Sequence, residues 1–340
     1  MMTTKAVLPA AGTIAALLLT GCGRAAEEAR PPAAVAKPVA AAAQPAAVTA
    51  TCKDGKPETA SLEPGTIGTN PSSWGSDSTM ERIRKRGHLI VGTSGDARLW
   101  GARNPVNGKI EGYDVDVAAR IARALGLDPD ATVYKVLTIA QRIPALRDGM
   151  VDLVAERMTI TCDRWQGAAS TPTEYANMST AYYVSGARLL VRSDSRATSL
   201  AGLKGQTVCG VAGSTSLAAL GDADVRKLVV SEPGRCLVRF QEGEAVAVVG
   251  DDTTLAGLAS QDPYARIVGD RLNSSSVGFG LQPGAVDFTR FVNAVLEQMR
   301  TDGSLTRLYD TWMKPTLREP APAVPQPVYG RDVPALQRQS

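Results

Sequence analysis

Two stretches of this chain carry side chains suited to holding an anion. The first ends at Arg164, in Met158-Thr159-Ile160-Thr161-Cys162-Asp163-Arg164. A planar guanidinium offers two parallel donors to the two oxygens of a carboxylate, with the Thr159 hydroxyl beside it. The second is Gly213-Ser214-Thr215, just ahead of a helical pattern. Hydroxyls at a helix start either cap its free N–H groups or help those groups hold an anion, and the two uses coexist. His88 is the sole histidine. His-rich zinc sites and Ser/His/Asp or Cys/His catalysis would have only that ring to draw on. It follows Arg84-Lys85-Arg86-Gly87 and precedes an apolar run, so it reads as a strand-entry surface residue. No cofactor and no metal is expected.

These groups need a scaffold, and the composition supplies one. The 340 residues are 44% hydrophobic, 21% charged and 5% aromatic, enough for two packed lobes. Lys+Arg 37 against Asp+Glu 34 gives a net charge of +3, without the basic excess that tracks phosphates, so no nucleic acid partner is expected. From about residue 79 to 314, short β-rich runs alternate with helical patterns: 88–93, then 114–125; 132–137, then 139–148; and 151–155. In the 114–125 helix, Val117, Ala118, Ile121, Ala122 and Leu125 form one apolar stripe, and Asp114 and Asp116 suit the dipole at its start. The pattern restarts with strands at 189–192, 206–211, 228–230 and 245–249 and helices at 214–220 and 252–259. After a strand at 277–281, helices at 285–300 and 305–313 close it. Strands separated by helices imply parallel β in an α/β fold. The expected division is lobe 1 at 80–186 and 277–314, and lobe 2 at 187–276.

The flanks read differently. Lys5 and an apolar stretch to Leu19 have the form of a signal peptide over 1–21. Its ending Leu19-Thr20-Gly21-Cys22 resembles a bacterial lipobox, which implies lipid on Cys22 and a membrane anchor. Between residues 23 and 50, 13 of 28 residues are Ala and 4 are Pro, so 22–50 reads as a tether unable to bury a core. Residues 51–79 form a pre-domain segment. Six prolines after Lys314 make 315–340 a disordered or loosely docked tail. Export would leave Cys52, Cys162, Cys209 and Cys236 in an oxidising compartment, and none lies in a CxxC pair, so two disulfides are expected. Of three pairings, Cys209 with Cys236 joins residues of one lobe. Cys52 with Cys162 would then staple the pre-domain segment to the other.

Five islands in order resemble the polar amino acid solute-binding proteins of bacterial ABC importers: Gly108 to Ala118 (G-x-x-x-G-Y-D-x-D-x-A), Asp148 to Leu153, Met158 to Arg164, Gly213 to Leu217, and Phe291 through Gly303 to Trp312. Ile160-Thr161-Cys162, Cys236-Leu237-Val238 and 251–258 are similar to the family's actinobacterial glutamate/glutamine-binding lipoproteins. The resemblance implies a periplasmic-binding-protein type II fold: two lobes, a two-strand hinge and a ligand cleft between them. It also implies a monomer that binds a polar amino acid, with Arg164 on the α-carboxylate, Thr159 beside it, Ser214 and Thr215 at the anion, and Asp251 accepting from the ammonium. Asp252 would then cap the next helix. Trp100, after the first strand, is either an aromatic over the ligand or a packing residue.

Several positions depart from the family pattern. Ser94 stands where relatives can have an acid, with Asp96 two residues on as a substitute. Arg157 occupies a pocket position usually small or hydroxylic; it either reads a side-chain carboxylate or pairs with Glu156 or Glu174. Val246 replaces an aspartate, and about eight extra residues separate Arg164 from Met178. The expected function is a receptor feeding an ABC permease. The alternatives are a lipoprotein reporting to a membrane sensor protein and a degenerate, ligand-free scaffold. Enzymes of this fold exist, but one histidine and an Arg164/Asp251 cleft fit them poorly.

Overall fold

The computed structural model describes residues 50–64 and 74–331. The expectations on 1–21, on Cys22 and on the tether as far as residue 49 lie outside the described residues. Helix α1 (Thr79–Arg86) leads into β1 (Ile90–Thr93) and a small antiparallel sheet of β2 (Asp96–Ala97), β3 (Gly101–Arg103) and β4 (Ile110–Glu111). Then follow α2 (Tyr113–Ala124), β5 (Val133–Val136), α3 (Arg142–Arg147), β6 (Leu153–Thr159), α4 (Cys162–Gln166), β7 (Asn177–Met178) and β8 (Tyr183–Ser185). The second lobe holds β9 (Ala187–Arg192), β10 (Thr207–Val211), α5 (Thr215–Ala218), β11 (Arg226–Val230), α6 (Pro233–Gln241), β12 (Ala247–Asp251), α7 (Asp252–Ala259) and β13 (Ala265–Val268). The chain returns through β14 (Ser275–Leu281) and ends in α8 (Val286–Thr301), α9 (Ser304–Trp312) and α10 (Lys314–Leu317).

Each lobe is built on its own sheet. The first has the order β5-β1-β6-β14-β7, with β8 also on β14; β1 runs parallel to β5 and β6, and β14 antiparallel to its neighbours. The second has the order β11-β10-β12-β9-β13, parallel in its first three strands and antiparallel in the rest. Helices cover the faces, so the central strands are buried on both sides and rich in Val, Leu and Ala. Strand β6 is buried at all seven positions, yet it includes Glu156 and Arg157. Burying charge carries a desolvation cost that packing does not repay, so the end of β6 serves something other than the core.

The apolar stripe of α2 faces a core shared with α8 and α9, where Phe288, Phe291 and Leu296 are fully buried. Trp100, Tyr113, Tyr182, Tyr183 and Phe279 form an aromatic cluster beside it, with centroids 4.7–5.9 Å apart in the closer pairs, worth about 0.5–1.5 kcal/mol per pair beyond area. Two crossing segments join the lobes, β8 into β9 and β13 into β14. They are braced where Ser185 Oγ donates to Asp252 Oδ1 and Arg271 pairs with Asp252. Asp252 is therefore not the expected cap: it lies inside the first turn of α7 and ties the helix to the hinge, while Asp251 holds the N-cap position without a side-chain capping bond.

Residues up to 331 are docked on lobe 1: Ala60 bridges Val328, Arg300 Nε donates to Pro325 O at 3.1 Å, and Arg331 is 4% exposed. Proline-rich chain lacks periodicity of its own, but here its order comes from long-range partners. Disulfides Cys52–Cys162 and Cys209–Cys236 close separations of 110 and 27 residues, each removing roughly 3–5 kcal/mol of unfolded-state entropy in the chain-entropy view.

Gly112 sets the start of α2. Its φ is 146°, and a Cβ there would lie 2.3 Å from the Trp100 carbonyl carbon and oxygen, backbone atoms that cannot give way. Gly112→Ala is expected to destabilise the fold by more than about 2 kcal/mol. A urea midpoint equal to that of the wild type would show that this close approach is not needed.

Candidate functional site

A cleft lies between the lobes, with about 500 Å³ of empty space when its opening to solvent is counted. Lobe 1 lines it with Ile139, Arg142, Arg157, Thr159 and Arg164, and lobe 2 with Ser214, Thr215, Ser216 and Asp251 among its polar groups. Below these, Val248, Leu255 and Leu258 give it an apolar wall. The polar residues come from the C-terminal ends of β6 and β12 and from the segments that follow β5, β6 and β10, where open α/β sheets present ligand sites. Strand β12 runs two residues beyond the expected end at 249, which sets Asp251 at the strand edge.

The three arginines differ in how they are held. Arg164, on α4, is 9% exposed. Its Nη1 donates to Thr159 O, and Nη2 reaches Gly213 O of the other lobe at 3.5 Å. Burial, with Arg142 nearby, pushes its pKa down to about 9; it stays charged at neutral pH and is stabilised by any anion that enters. Arg142, 4% exposed, spends Nε on Ile139 O and Nη1 on Glu156 O, both at 3.0 Å. Arg157 stands in the left-handed region at φ 46°, a conformation that costs a non-glycine residue about 1 kcal/mol or more. Asp114 holds it there: Oδ2 accepts from Arg157 N at 2.7 Å and Oδ1 from Tyr182 Oη at 2.6 Å. Arg157 Nη1 is buried without a hydrogen-bond partner.

Facing these cations across the cleft is Asp251, whose Oδ1 accepts from Ser216 Oγ at 2.9 Å and whose pKa is raised by burial. The Thr159 and Thr215 hydroxyls meet at 3.0 Å, joining the lobes at the cleft. Ser214 lines the cleft while capping α5: its Oγ accepts from Leu217 N at 3.1 Å and donates to Val211 O at 2.8 Å. Arg164, Thr159, Asp251, Ser214, Thr215 and Arg157 are thus brought together. Trp100 is not among the lining residues. It is 1% exposed, packs on Tyr113 and Tyr183, and donates through Nε1 to Thr253 Oγ1 at 3.0 Å, so it is the packing residue of its two readings. Asp96 also stays out: its carboxylate accepts from Ser94 Oγ and, across the lobes, from Gly234 N, each at 2.8 Å. None of residues 167–177 lines the cleft.

Sequence reasoning missed Arg142, Ser216 and the work of Asp114. The hydroxyl run from Ser214 to Ser216 was the available signal for Ser216, and Arg142 had none beyond standing in an apolar neighbourhood. Asp114 read as a dipole partner, whereas the structure turns its carboxylate onto Arg157 and Tyr182. Among the described residues no group of three or more His, Cys, Asp and Glu could hold a metal ion.

Glu156 is 3% exposed, and its Oε2 lacks a partner. Burial outweighs the nearby Arg142 and Arg157 and pushes its pKa up from 4.5 to about 7. The folded state then binds the proton more tightly than the unfolded chain, so stability on this account falls as pH rises through that window. Glu156→Gln should flatten the decline. Urea midpoints followed from pH 4.5 to 8 test this, and identical slopes in the two proteins would assign the dependence elsewhere.

Known proteins are similar to this chain in sequence and in fold. The family model for bacterial extracellular solute-binding proteins, family 3, matches residues 89–315. The glutamine-binding protein of Geobacillus stearothermophilus is 33% identical over 225 residues, covering 65% of this chain and 82% of that protein. The ABC transporter glutamine-binding protein GlnH of Bacillus subtilis is 28% identical over 239 residues, covering 69% and 85%. A solved solute receptor for L-cysteine from Neisseria gonorrhoeae superposes with a TM-score of 0.64 at 25% identity, over 70% of this chain and 95% of that one. Two lobes on separate sheets, two crossing strands and a cleft at the strand ends make this the periplasmic-binding-protein type II fold. The chain belongs to the bacterial extracellular solute-binding proteins, family 3.

Proposed function

We propose that this protein is a lipid-anchored, extracytoplasmic receptor that captures a polar amino acid of the glutamate, glutamine or aspartate type and delivers it to an ABC permease. The observation that carries the reading is the charge pattern of the cleft: Arg164, Arg142 and Arg157 on lobe 1 face Asp251 on lobe 2. A free amino acid has the matching charges. Its α-carboxylate suits the Arg164 guanidinium and the hydroxyls of Thr159 and Thr215, and its ammonium suits Asp251. Buried guanidinium groups are stabilised by a partner that replaces their lost water. Arg157, with its free Nη1, suits a side-chain oxygen, and the excess of cations over acids in the cleft favours a second carboxylate over an amide. Contacts from both lobes would stabilise the closed arrangement, the population-shift logic of hinged receptors.

Calorimetric titration of the full chain, freed of carried-over ligand by guanidinium washing and refolded, against all twenty amino acids tests the proposal. Micromolar or tighter binding of glutamate, aspartate or an amide is expected, and silence across the panel would favour a ligand-free scaffold. Arg164→Ala should cost about 2–5 kcal/mol of binding. Arg157→Ala should weaken an acidic ligand at least about tenfold more than its amide. Affinities unchanged in these variants would remove those roles.

A further inference from the structure

We infer that the segments flanking the family core form a clasp that holds Arg164 in its binding pose, with Arg331 as a positioning residue. The inference rests on the reading of Arg164 as the carboxylate ligand. Its parts, residues 52–62 and 318–331, fall outside the family match at 89–315.

The helix that carries Arg164 has five residues, Cys162–Gln166, far below the length at which a helix holds itself. A helix turns about 100° per residue, so Cys162, Trp165 and Gln166 share one face and Arg164 points away from them into the cleft. All three residues on that rear face are held by the clasp. Cys162 is bonded to Cys52. Gln166 Oε1 accepts from Lys53 N at 3.3 Å. Trp165, wholly buried, has the Arg331 guanidinium 4.7 Å above its ring.

Arg331 is itself fixed from several sides. Nε donates to Ala60 O at 2.9 Å, Nη2 to Pro57 O at 2.8 Å, and Nη1 pairs with Asp54. Its own N–H reaches Ser61 O at 3.1 Å, beside the Ala60–Val328 bridge. Ser61 in turn donates to Met178 O at 2.7 Å, and Asn293 donates to Ser61 Oγ and Leu62 O at 2.8 and 2.7 Å. A largely buried network of this kind, in which each Arg331 side-chain nitrogen has a partner, is rigid. It ties the rear of α4 to both flanks of the chain and to α8. Arg331 is not among the residues that line the cleft, so its effect on ligand is indirect, and the clasp routes that effect through the orientation of Arg164.

Calorimetry of the full chain with glutamate, glutamine and aspartate tests the clasp by a double-mutant cycle. Arg331→Met should weaken binding about five- to twentyfold in the wild-type background and less than about twofold in Arg164→Lys, because residues acting through one group are non-additive. Unchanged affinity in Arg331→Met overturns the inference, and so do fully additive losses, which would mean that Arg331 supports the fold in general. If Arg331→Met does not fold by far-ultraviolet circular dichroism, the pair Cys52→Ser with Cys162→Ser carries the same cycle. A wild-type chain that binds none of these ligands sinks the receptor reading and leaves the clasp to hydrogen exchange. Amides of residues 162–166 should then lose protection in the variant while those of lobe 2 keep theirs, and equal protection throughout overturns it.

Discussion

Three guanidinium groups brought into one cleft have lost most of their water and repel one another, and much of the surrounding structure answers that cost. Arg142 is neutralised in part by the carbonyls of Ile139 and Glu156, Arg164 by Thr159 O and Gly213 O, and the backbone of Arg157 by Asp114. Burial draws Arg164 down in pKa and raises Glu156, Asp114 and Asp251. Arg142, Arg164, Glu156, Asp114 and Asp251 are therefore each held against their solvation preference. Such a site is costly when empty and gains when a complementary zwitterion enters.

The scaffold follows from that demand. Parallel strands bring β6 and β12 to open ends on facing lobes, and the charged residues sit at those ends, where a helix start or strand edge leaves polar groups free. The position of Arg157 shows the balance of forces. A left-handed backbone at the end of a buried strand persists because Asp114, on the first turn of α2, accepts its N–H, and Asp114 reaches there because Gly112 lets α2 begin against Trp100. A local strain is thus held by a chain of contacts from one element to the next.

Much of this was legible in the sequence. The alternation of β runs and helical stripes gave the two α/β units, since both periodicities are set by burial of one face. The closing helices expected at 285–300 and 305–313 are observed one residue away, at Val286–Thr301 and Ser304–Trp312. Residues whose chemistry is their own, such as Arg164 and Asp251, could be singled out by type and motif. What was illegible depends on partners distant in sequence. Trp100 differs from a ligand-stacking residue only by the presence of Tyr113, Tyr183 and Thr253 around it. Asp252 left its capping role for Ser185 and Arg271. The proline-rich run to residue 331 has no pattern to read, because its order is supplied by residues 52–62.

The attachment of both flanks to the same lobe fixes the path of mechanical load. A pull on the chain ahead of residue 50 or behind residue 331 enters lobe 1, through Cys52–Cys162, the Ala60–Val328 bridge and Arg331. Lobe 2 is joined to lobe 1 by the two crossing strands, by contacts across the cleft and by the Trp100–Thr253 and Asp96–Gly234 bonds outside it. On the receptor reading, lobe 1 is then the fixed jaw and lobe 2 the swinging one, so tension along the chain leaves the opening coordinate nearly unloaded.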